Sequence, residues 1–391
     1  MNNRENFVKD WAPIPPEEKL REETSGSPLT YWQDVRRRFV QNKVAVVSLF
    51  IIVLLVLLSV FGPMMTGKDY YSQDLVLRKV PPILTVYDTA DGTDLYVHPD
   101  VRLFVVDEDG YIGEELQAVG GSLLEHRFEY EYNGATYILE VGEGIRLLDG
   151  NSEPITDSHR SWNRNNLLGT DNLGRDMLTR LLYGGRISLG IAFVVAVCTL
   201  VIGVLYGGIA GYFGGNVDTI MMRIVEILMS VPNTIYVILL MVYFGRGLLN
   251  ILIAMAVTSW LGMARLVRGQ VLSLKKSDYV LAARSVGTRP VKIILQHLLP
   301  NCIGPIIVSA AASIPGAIAT EAFMSLIGIG VAPPMPSWGL LNSEGLAAIQ
   351  TAPYHMQRFL RRKKSGCFLK TPSAFLVRSK EYVPSTGPIV Q

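Results

Sequence analysis

The residues of this chain that could carry out chemistry are few, and their spacing gives no catalytic centre. The five histidines lie far apart, without the spacing that a metal site requires: His98, His126, His159, His297 and His355. The chain also has no GxxxxGK[ST] segment, so it cannot cradle nucleotide phosphates in the manner of a P-loop. We therefore expect no catalytic residue, no metal site, no cofactor and no enzyme activity.

Two carboxyl groups inside apolar segments are the remaining candidates, because an ionisable side chain is costly in lipid and is often functional there. Glu226 follows Arg223 by three residues, so a local ion pair on one helix face explains it. Glu321 has no basic neighbour in the sequence, so it either lines a water-filled path or bonds to another helix. We take Glu321 as the candidate for pathway lining.

Long apolar segments surround these carboxyl groups, and 49% of the residues are hydrophobic. Residues 44–61 contain no charge and would form a helix of about 27 Å, close to the hydrocarbon thickness of a bilayer. The arginines at 36–38 and Lys43 precede this segment, and basic residues near a span mark its cytoplasmic side. The sequence therefore predicts a cytoplasmic segment at 1–43 and a first transmembrane helix at 44–62.

The next segment, residues 63–165, predicts an extracytoplasmic insertion. Residues 63–186 contain 21 acidic against 11 basic side chains and no long apolar run, so we place this part on the opposite side of the membrane from the N-terminus. Asp109-Gly110 and Asn133-Gly134 lie between aromatic and β-branched residues, a pattern typical of β-hairpins. We expect a small β-rich fold over residues 83–148.

Four more apolar segments predict further spans, at residues 187–206, 224–244, 248–263 and 302–329. With the first helix they make five spans, and the four later spans lie in a membrane core that we place at residues 166–354. Residues 265–301 are rich in basic side chains and fall on the cytoplasmic side when spans are counted from the N-terminus. Gly203, Gly207 and Gly211 recur every four residues, which indicates a face for close helix packing.

The basic cytoplasmic loop contains a pattern for two short helices that meet at a sharp turn. Ala282 and Ala283 lie in a helix-forming stretch that Gly287 can end, and Pro290 can open the second helix. The apolar face of that helix would include Val291, Ile294, Leu295 and Leu298. A compact helix-turn-helix of this kind is shaped to insert into a groove of another protein.

This loop resembles that of type I ABC importer permeases, which has the form E-A-A, three residues, Gly, nine residues, Ile, any residue, Leu-Pro. The matching residues are Ala282, Ala283, Gly287, Leu299 and Pro300. Leu281 and His297 replace the Glu and the Ile, and the His-x-Leu-Pro-Asn ending is similar to the peptide and nickel branch of that family. The resemblance implies that this loop docks on a separate ATPase subunit.

A second match lies just before the second span. Residues 166–189 resemble the Leu-Gly-Thr-Asp, Gly-Arg-Asp segment of peptide-importer permeases, and residues 31–43 resemble the start of the extra first helix of this subunit type. By its residues alone, the first segment predicts a turn at 171–174 and then an amphipathic helix from Met177. That helix would lie at the interface and anchor the bundle, or contact a solute-binding protein. The resemblance covers residues 30–65 and 165–355, without the β-rich insertion.

The C-terminal segment, residues 355–391, departs from the family pattern. Family members have one more apolar helix after the PSWG-like segment, at 336–339 here, but this basic tail contains no apolar run long enough to span a bilayer. Five spans would leave the tail outside, which contradicts its positive charge. We interpret it as sequence from a changed reading frame, beginning after about His355.

The sequence therefore predicts an all-α polytopic membrane protein of the type I ABC importer fold, with a small extracytoplasmic β-rich insertion. The resemblance implies a multi-pass subunit of a prokaryotic inner membrane, with its N-terminus in the cytoplasm. It implies as partners a second permease subunit, cytoplasmic ATPase subunits, an extracytoplasmic solute-binding protein and the lipid bilayer, with no nucleic acid. Peptides are the leading substrate, and nickel or oligosaccharides stay open.

Two alternatives belong to other functional classes. An ion-coupled secondary transporter would use Glu226 or Glu321 as its ion site, but the sequence has no internal repeat to support that class. A non-transporting membrane anchor would serve only to present the external β-rich domain. A bound ATPase, stimulated by a binding protein, would separate the importer from both.

Overall fold

A computed structural model describes residues 31–347, except residues 123, 125 and 143. The basic tail at 355–391 and the first 30 residues lie outside this range, so the reading-frame hypothesis stays a prediction. The described chain has three parts. They are two N-terminal helices, a region of two β-sheets, and a bundle of helices.

The first two helices are α1 (Tyr31–Gln41) and α2 (Lys43–Met65). The Asn42 side chain caps α2 by accepting a hydrogen bond from the backbone N–H of Ala45, at 3.2 Å. Only Ser59 and Gly62 are buried on α2, and its other side chains are almost all exposed and apolar. The predicted first span is thus a helix of 23 residues, three residues longer at its C-terminal end than expected.

Nine strands follow: β1 (Ile83–Asp88), β2 (Asp94–His98), β3 (Arg102–Val106), β4 (Ile112–Leu116), β5 (Ala118–Ser122), β6 (Arg127–Tyr132), β7 (Ala135–Val141), β8 (Ile145–Asp149) and β9 (Ser158–Trp162). They form a five-stranded sheet in the order β4-β3-β2-β1-β9 and a four-stranded sheet in the order β5-β6-β7-β8. All pairs are antiparallel. The two predicted hairpins are confirmed, since β3 pairs with β4 and β6 pairs with β7.

The five-stranded sheet is buried on both faces. Leu95 and Leu103 pack with Tyr137 and other residues of the second sheet, while Leu84 and Val86 pack on the opposite face with the segment that precedes β1. The strand β9 lies beyond the predicted range of 83–148, because its sequence, SHRSW, is polar and mostly exposed. Its backbone pairing with β1 closes the sheet at the point where the chain returns to the helices.

The remaining helices are α3 (Met177–Phe213), α4 (Gly215–Met229), α5 (Asn233–Phe244), α6 (Leu248–Ser259), α7 (Leu261–Leu274), α8 (Asp278–Ser285), α9 (Pro290–Ile293), α10 (Leu299–Asn301), α11 (Ile303–Leu326) and α12 (Trp338–Ala347). Within the described residues, four helical segments are long and apolar enough to cross a membrane, or five if α4 and α5 together make one span. The predicted number of five spans depends on that pair.

Three predicted boundaries were wrong. The amphipathic helix from Met177 and the span at 187–206 are one continuous helix of 37 residues, because no Pro or capping residue separates them. The span at 224–244 is broken before Asn233, where α4 and α5 meet at 78°. Pro232 lies at this break, and its missing N–H cannot continue the helical hydrogen bonds.

The third correction concerns the cytoplasmic loop, which was expected to begin at Arg265. Residues 248–274 instead continue as one apolar helical segment through α6 and α7, so Arg265 and Arg268 lie on α7. The glycine face on α3 packs against this helix, as predicted. A Cβ atom on Gly207 would lie 2.3 Å from the carbonyl oxygen of Ala264, and one on Gly203 would lie 2.5 Å from Cβ of Met263.

Candidate coupling surface and buried polar networks

The helix pair expected in the basic loop is present. α8 ends before Gly287, whose φ of +77° lies in the left-handed region that favours glycine, and Pro290 opens α9. Val280 and Ile293 are fully buried and hold the two helices against the bundle. The prediction of a turn between two short helices is therefore confirmed.

The predicted apolar face of the second helix is divided between core and surface. Ile294 and Leu298 are buried, whereas Val291 and Leu295 are exposed. On α8, Leu281 is exposed as well, and Val286 directly after it is 85% exposed. The pair thus presents apolar side chains to its surroundings on both sides of the turn.

The candidate coupling residues lie at or near this surface. Ala282, Gly287 and Pro300 are exposed, and the side chains of Ala283, His297 and Leu299 are half-buried: none of the six is fully buried. The small side chains on α8 leave its backbone accessible to a partner. The arrangement gives a low ridge that is mostly apolar.

A π-helical turn, Ile294–Leu298, joins α9 to α10, and the sequence did not predict it. Pro300 has no N–H to donate to the carbonyl group four residues earlier, so a regular α-helix cannot pass through this point. The backbone N–H of Leu299 donates to the carbonyl oxygen of Ile294, five residues back. Such turns are frequent at functional sites, and a proline just after a helical pattern is the signal that could have revealed it.

Two contacts attach the loop to the C-terminal end of α3, and an ion pair joins the neighbouring helices α7 and α4. The Lys275 ammonium donates to the carbonyl oxygen of Gly211 at 2.9 Å, where it satisfies a free carbonyl of the last helical turn. The Arg284 guanidinium lies over the Tyr212 ring, 4.9 Å from its centroid. Arg268 on α7 makes a two-point ion pair with Asp218 on α4, at 2.5 and 2.6 Å. α8 and the turn before it therefore contact the last residues of α3.

Glu321 lies on α11 and is fully buried. Its carboxyl group accepts hydrogen bonds from the hydroxyl groups of Ser337 at 2.6 Å, Ser325 at 2.9 Å and Ser188 at 3.1 Å. Ser188 is on α3, and it also accepts a hydrogen bond from the backbone N–H of Trp338 at the start of α12. The Glu321 side chain is therefore hydrogen-bonded to other parts of the bundle and is not exposed on a surface of this chain.

Glu226 has the partner that its sequence position suggested. Its carboxyl group lies 3.0 Å from the Arg223 guanidinium, and both side chains are exposed. Surface pairs of this kind contribute little to stability, about 0–1 kcal/mol. Nothing in this geometry distinguishes Glu226 as an ion-binding group.

A second polar network lies at the N-terminal end of α3, in the segment that the sequence identified by its Leu-Gly-Thr-Asp and Gly-Arg-Asp residues. Arg180 is fully buried, and its guanidinium contacts Asp171 at 2.5 Å and Glu344 on α12 at 2.7 and 3.1 Å. Arg175 also bonds Asp171, at 2.7 Å. The Nε of Arg180 has no partner among the described residues. This cluster joins the turn at 171–174, α3 and α12.

The same turn is tied to the segment that leads into β1. The backbone N–H of Thr170 donates to the carbonyl oxygen of Val80, and the backbone N–H of Val80 donates to the Thr170 hydroxyl group. That hydroxyl group in turn donates to the carbonyl oxygen of Leu77. Gly169 and Gly174 both have positive φ, and a Cβ at Gly174 would overlap the carbonyl oxygen of Asp74. Of the two roles expected for this segment, the contacts support an anchor. The sequence did not identify Arg180 or Glu344, although an arginine among the leucines of the predicted helix was a signal.

Comparison with known protein families gives two matches. A family described as "Binding-protein-dependent transport system inner membrane component" matches residues 203–354, and one described as "N-terminal TM domain of oligopeptide transport permease C" matches residues 30–82. The first match contains the candidate coupling residues, Glu321 with Ser325 and Ser337, and Glu344. It ends at the last residue before the basic tail.

Individual proteins align over most of the chain. The oligopeptide transport system permease protein OppC of Bacillus subtilis is 35% identical, over 86% of this chain and 84% of its own length. The dipeptide transport system permease protein DppC of the same species is 36% identical, over 88% of this chain and 83% of its own length.

One solved structure is a looser match. A chain of the methionine ABC transporter MetNI in inward-facing conformations is 19% identical, covers 47% of this chain and 93% of its own length, and superposes with a TM-score of 0.38. This superposition adds nothing to the sequence matches. The resemblance to ABC importer permeases is confirmed by the sequence relatives.

Proposed function

The chain belongs to the family of binding-protein-dependent transport system inner membrane components, and we propose that it forms half of a transmembrane pathway for peptides, driven by ATPase subunits that dock on α8. The second half is a second permease subunit. The observation that carries this proposal is the exposed apolar ridge of α8 and α9, anchored from behind by buried residues. The chain itself does not catalyse a reaction.

The coupling mechanism follows from how α8 is held. An ATPase groove would take the exposed Leu281 and Val286, while the small Ala282 and Gly287 allow its backbone to approach closely. Arg284 and Lys275 connect α8 and the preceding turn to the last residues of α3. A displacement of α8 during ATP binding and hydrolysis would therefore rotate or tilt α3, which spans the bundle. Alternating access then opens the pathway to one side at a time.

The Glu321 cluster has a positioning role in this proposal. Three serine hydroxyl groups donate hydrogen bonds to its carboxyl group. One of them, Ser188, is on α3, and another, Ser337, lies just before α12. The cluster keeps α3, α11 and α12 in one rigid unit. This role replaces direct solute binding by Glu321, since none of its carboxyl surface is exposed in the described chain.

The proposed orientation of the chain in the membrane is based on its distribution of charged residues. Basic residues before α2 and in the α7–α9 segment favour the cytoplasm for the N-terminus and the coupling loop, and the excess of acidic residues favours the extracytoplasmic side for the β-sheets. There the sheets can meet a solute-binding protein that supplies selectivity. Peptides are the proposed substrate because the relatives are named for oligopeptide and dipeptide transport.

The docking proposal is tested by placing a large charge on the ridge. Ala282→Arg should reduce co-purification of the ATPase subunits at least tenfold, because the long side chain prevents close approach to the α8 backbone. Asn216→Arg is the matched control, since it adds the same charge at an exposed position near the same end of α3. Normal ATPase binding by Ala282→Arg, or equal loss in both variants, would refute docking at α8.

A further inference from the structure

Three potential metal ligands converge on one face of the five-stranded sheet, and we propose that Asp88, Asp94 and His159 bind a divalent transition-metal ion. Asp88 ends β1, Asp94 begins β2, and His159 is on β9. The proposal is independent of the transport mechanism. It concerns only the β-rich region.

Strand register brings these side chains to the same face. Asp88 lies directly opposite Asp94 in the β1–β2 pair, and His159 lies opposite Val86 in the β1–β9 pair. Since residues two apart on a strand share a face, His159 is the diagonal neighbour of Asp88. Three adjacent strands therefore fix the Cα positions, and only side-chain rotation is needed to adjust the ligands.

The distances between ligand atoms suit a single ion. The ring nitrogen Nδ1 of His159 lies 2.5 Å from the Asp88 carboxylate, and the nearest ligand atoms of all three residues lie within 4.8 Å of one another. Zinc bonds imidazole and carboxylate ligands at about 2.0–2.2 Å, so an ion between them requires the His159 ring and Asp88 to separate by roughly 1 Å. Both side chains are about half exposed and free to make that movement.

The electrostatics of these three residues favour a cation. Two carboxylates directly opposite each other in an antiparallel pair destabilise the sheet unless a positive charge separates them. Among the described residues, neither Asp88 nor Asp94 has an ion pair with a lysine or arginine, and Glu108 adds a further negative charge nearby. His159 can neutralise one charge at most. A divalent ion would compensate both.

The donor set defines the kind of ion. One imidazole nitrogen and two carboxylate oxygens are typical of zinc and neighbouring transition metals, whereas calcium and magnesium prefer oxygen ligands alone. Asp88 and His159 are about half exposed, so three protein ligands leave room for water at the remaining positions. The sequence-based expectation of no metal site rested on histidine spacing, which does not reveal ligands that strand pairing brings together from positions 88, 94 and 159.

The ion would join the first strand of the insertion to the strand by which the chain returns to the helices. Beside the site, the backbone N–H of Asp88 donates to the carbonyl oxygen of Asp157, at 3.1 Å. Bound metal should therefore slow the opening of β1, β2 and β9. It should leave the second sheet unchanged.

The test uses the full chain in detergent, purified with a tag that contains no histidine and stripped with chelator. Titration with Zn²⁺, followed by calorimetry, should give one site that weakens at least tenfold in Asp94→Asn and in His159→Asn. Asp107→Asn and His126→Asn are matched controls, because both residues are exposed in the same region but outside the cluster. Both controls should bind Zn²⁺ as the unchanged chain does.

Hydrogen exchange provides a second measurement, which also checks that each variant folds. Zn²⁺ should reduce exchange in residues 83–98 and 158–162 of the unchanged chain, and not in Asp94→Asn or His159→Asn. The proposal is overturned if Zn²⁺ does not bind, if folded Asp94→Asn and His159→Asn bind it as tightly as the controls, or if protection appears elsewhere.

Discussion

The two ends of α3 are built in opposite ways. At its N-terminal end, a fully buried arginine and three further charged groups bond to one another and to α12, so the end is closed within the chain. At its C-terminal end, a lysine and a stacked arginine hold a loop whose apolar residues are exposed. One end is thus a fixed joint within the chain, and the other leaves apolar side chains exposed.

The strongest test of this comparison removes the buried arginine. Arg180→Ala should lower the free energy of unfolding by about 3–5 kcal/mol, because Asp171 is left as a buried charge without its closest partner. Arg223→Ala, which breaks an exposed pair, should cost no more than about 1 kcal/mol. Denaturation in mixed detergent micelles measures both. Equal costs would show that the N-terminal network is not a fixed joint.

The glycine face in the C-terminal half of α3 provides the next test. Gly207→Ala should cost about 1–3 kcal/mol, since the new methyl group would force α3 away from the carbonyl oxygen of Ala264. Gly190→Ala on the same helix meets nothing within 4 Å and should stabilise the helix by about 1 kcal/mol. The same denaturation assay compares them. If Gly207→Ala leaves the free energy of unfolding unchanged, α3 and α7 are not tightly packed at this point.

Acidification should lower the stability of the β-rich region, whose leading segment is bonded to the turn before α3. His98 is fully buried; its Nε2 donates to the carbonyl oxygen of Arg78, and its Nδ1 accepts from the backbone N–H of Asp100. Burial lowers the pKa of His98 below its usual value of 6.5. The unfolded chain therefore takes up a proton below pH 6.5 that the folded chain resists, and stability is lost as the pH falls from 6.5 through the lowered pKa, by at most about 1.4 kcal/mol per pH unit.

Hydrogen exchange of residues 78–106 at pH 7.5 and at pH 5.5 measures this effect. Exchange, corrected for its intrinsic pH dependence, should rise at the lower pH in the unchanged chain and in His126→Asn. In His98→Gln the extra increase should be absent. A pH dependence that survives His98→Gln would assign it to another group.

The smallest expected effect is at the open end. Arg284→Leu removes the contact with the Tyr212 ring and should cost less than about 1 kcal/mol of stability, yet reduce transport-coupled ATP hydrolysis by up to roughly fivefold. Lys276→Leu, an exposed lysine of the same segment, is the control. ATPase activity of the reconstituted complex distinguishes them. If the two variants behave alike, Arg284 does not transmit movement to α3.

The sequence predicted features that depend on local chemistry. Asp109-Gly110 and Asn133-Gly134 can form tight turns wherever they occur, and Gly287 followed by Pro290 can form a helical corner, so the hairpins and the helix pair were found. The glycine face was found because its spacing alone defines a helix surface. The family was recognised from the residues at that corner and from the segment before α3.

Features that depend on distant partners were missed. Nothing near Arg180 in the sequence identifies Glu344 as its partner, and the polar β9 forms a strand because β1 lies beside it. Continuation of α3 through residues 183–186 was missed because glycines and an arginine there resemble a boundary. The break at Pro232 was missed because residues 224–244 form one apolar run, whereas the structure turns the chain there by 78°.

The uninterrupted length of α3 has a mechanical consequence. A helix of 37 residues is about 55 Å long, whereas the hydrocarbon core of a bilayer is about 30 Å thick. If the buried charges hold one end as a pivot, a tilt of only about 5° moves the other end by roughly 5 Å. A small tilt of α3 at Arg180 therefore corresponds to a large displacement beside the apolar ridge of α8 and α9.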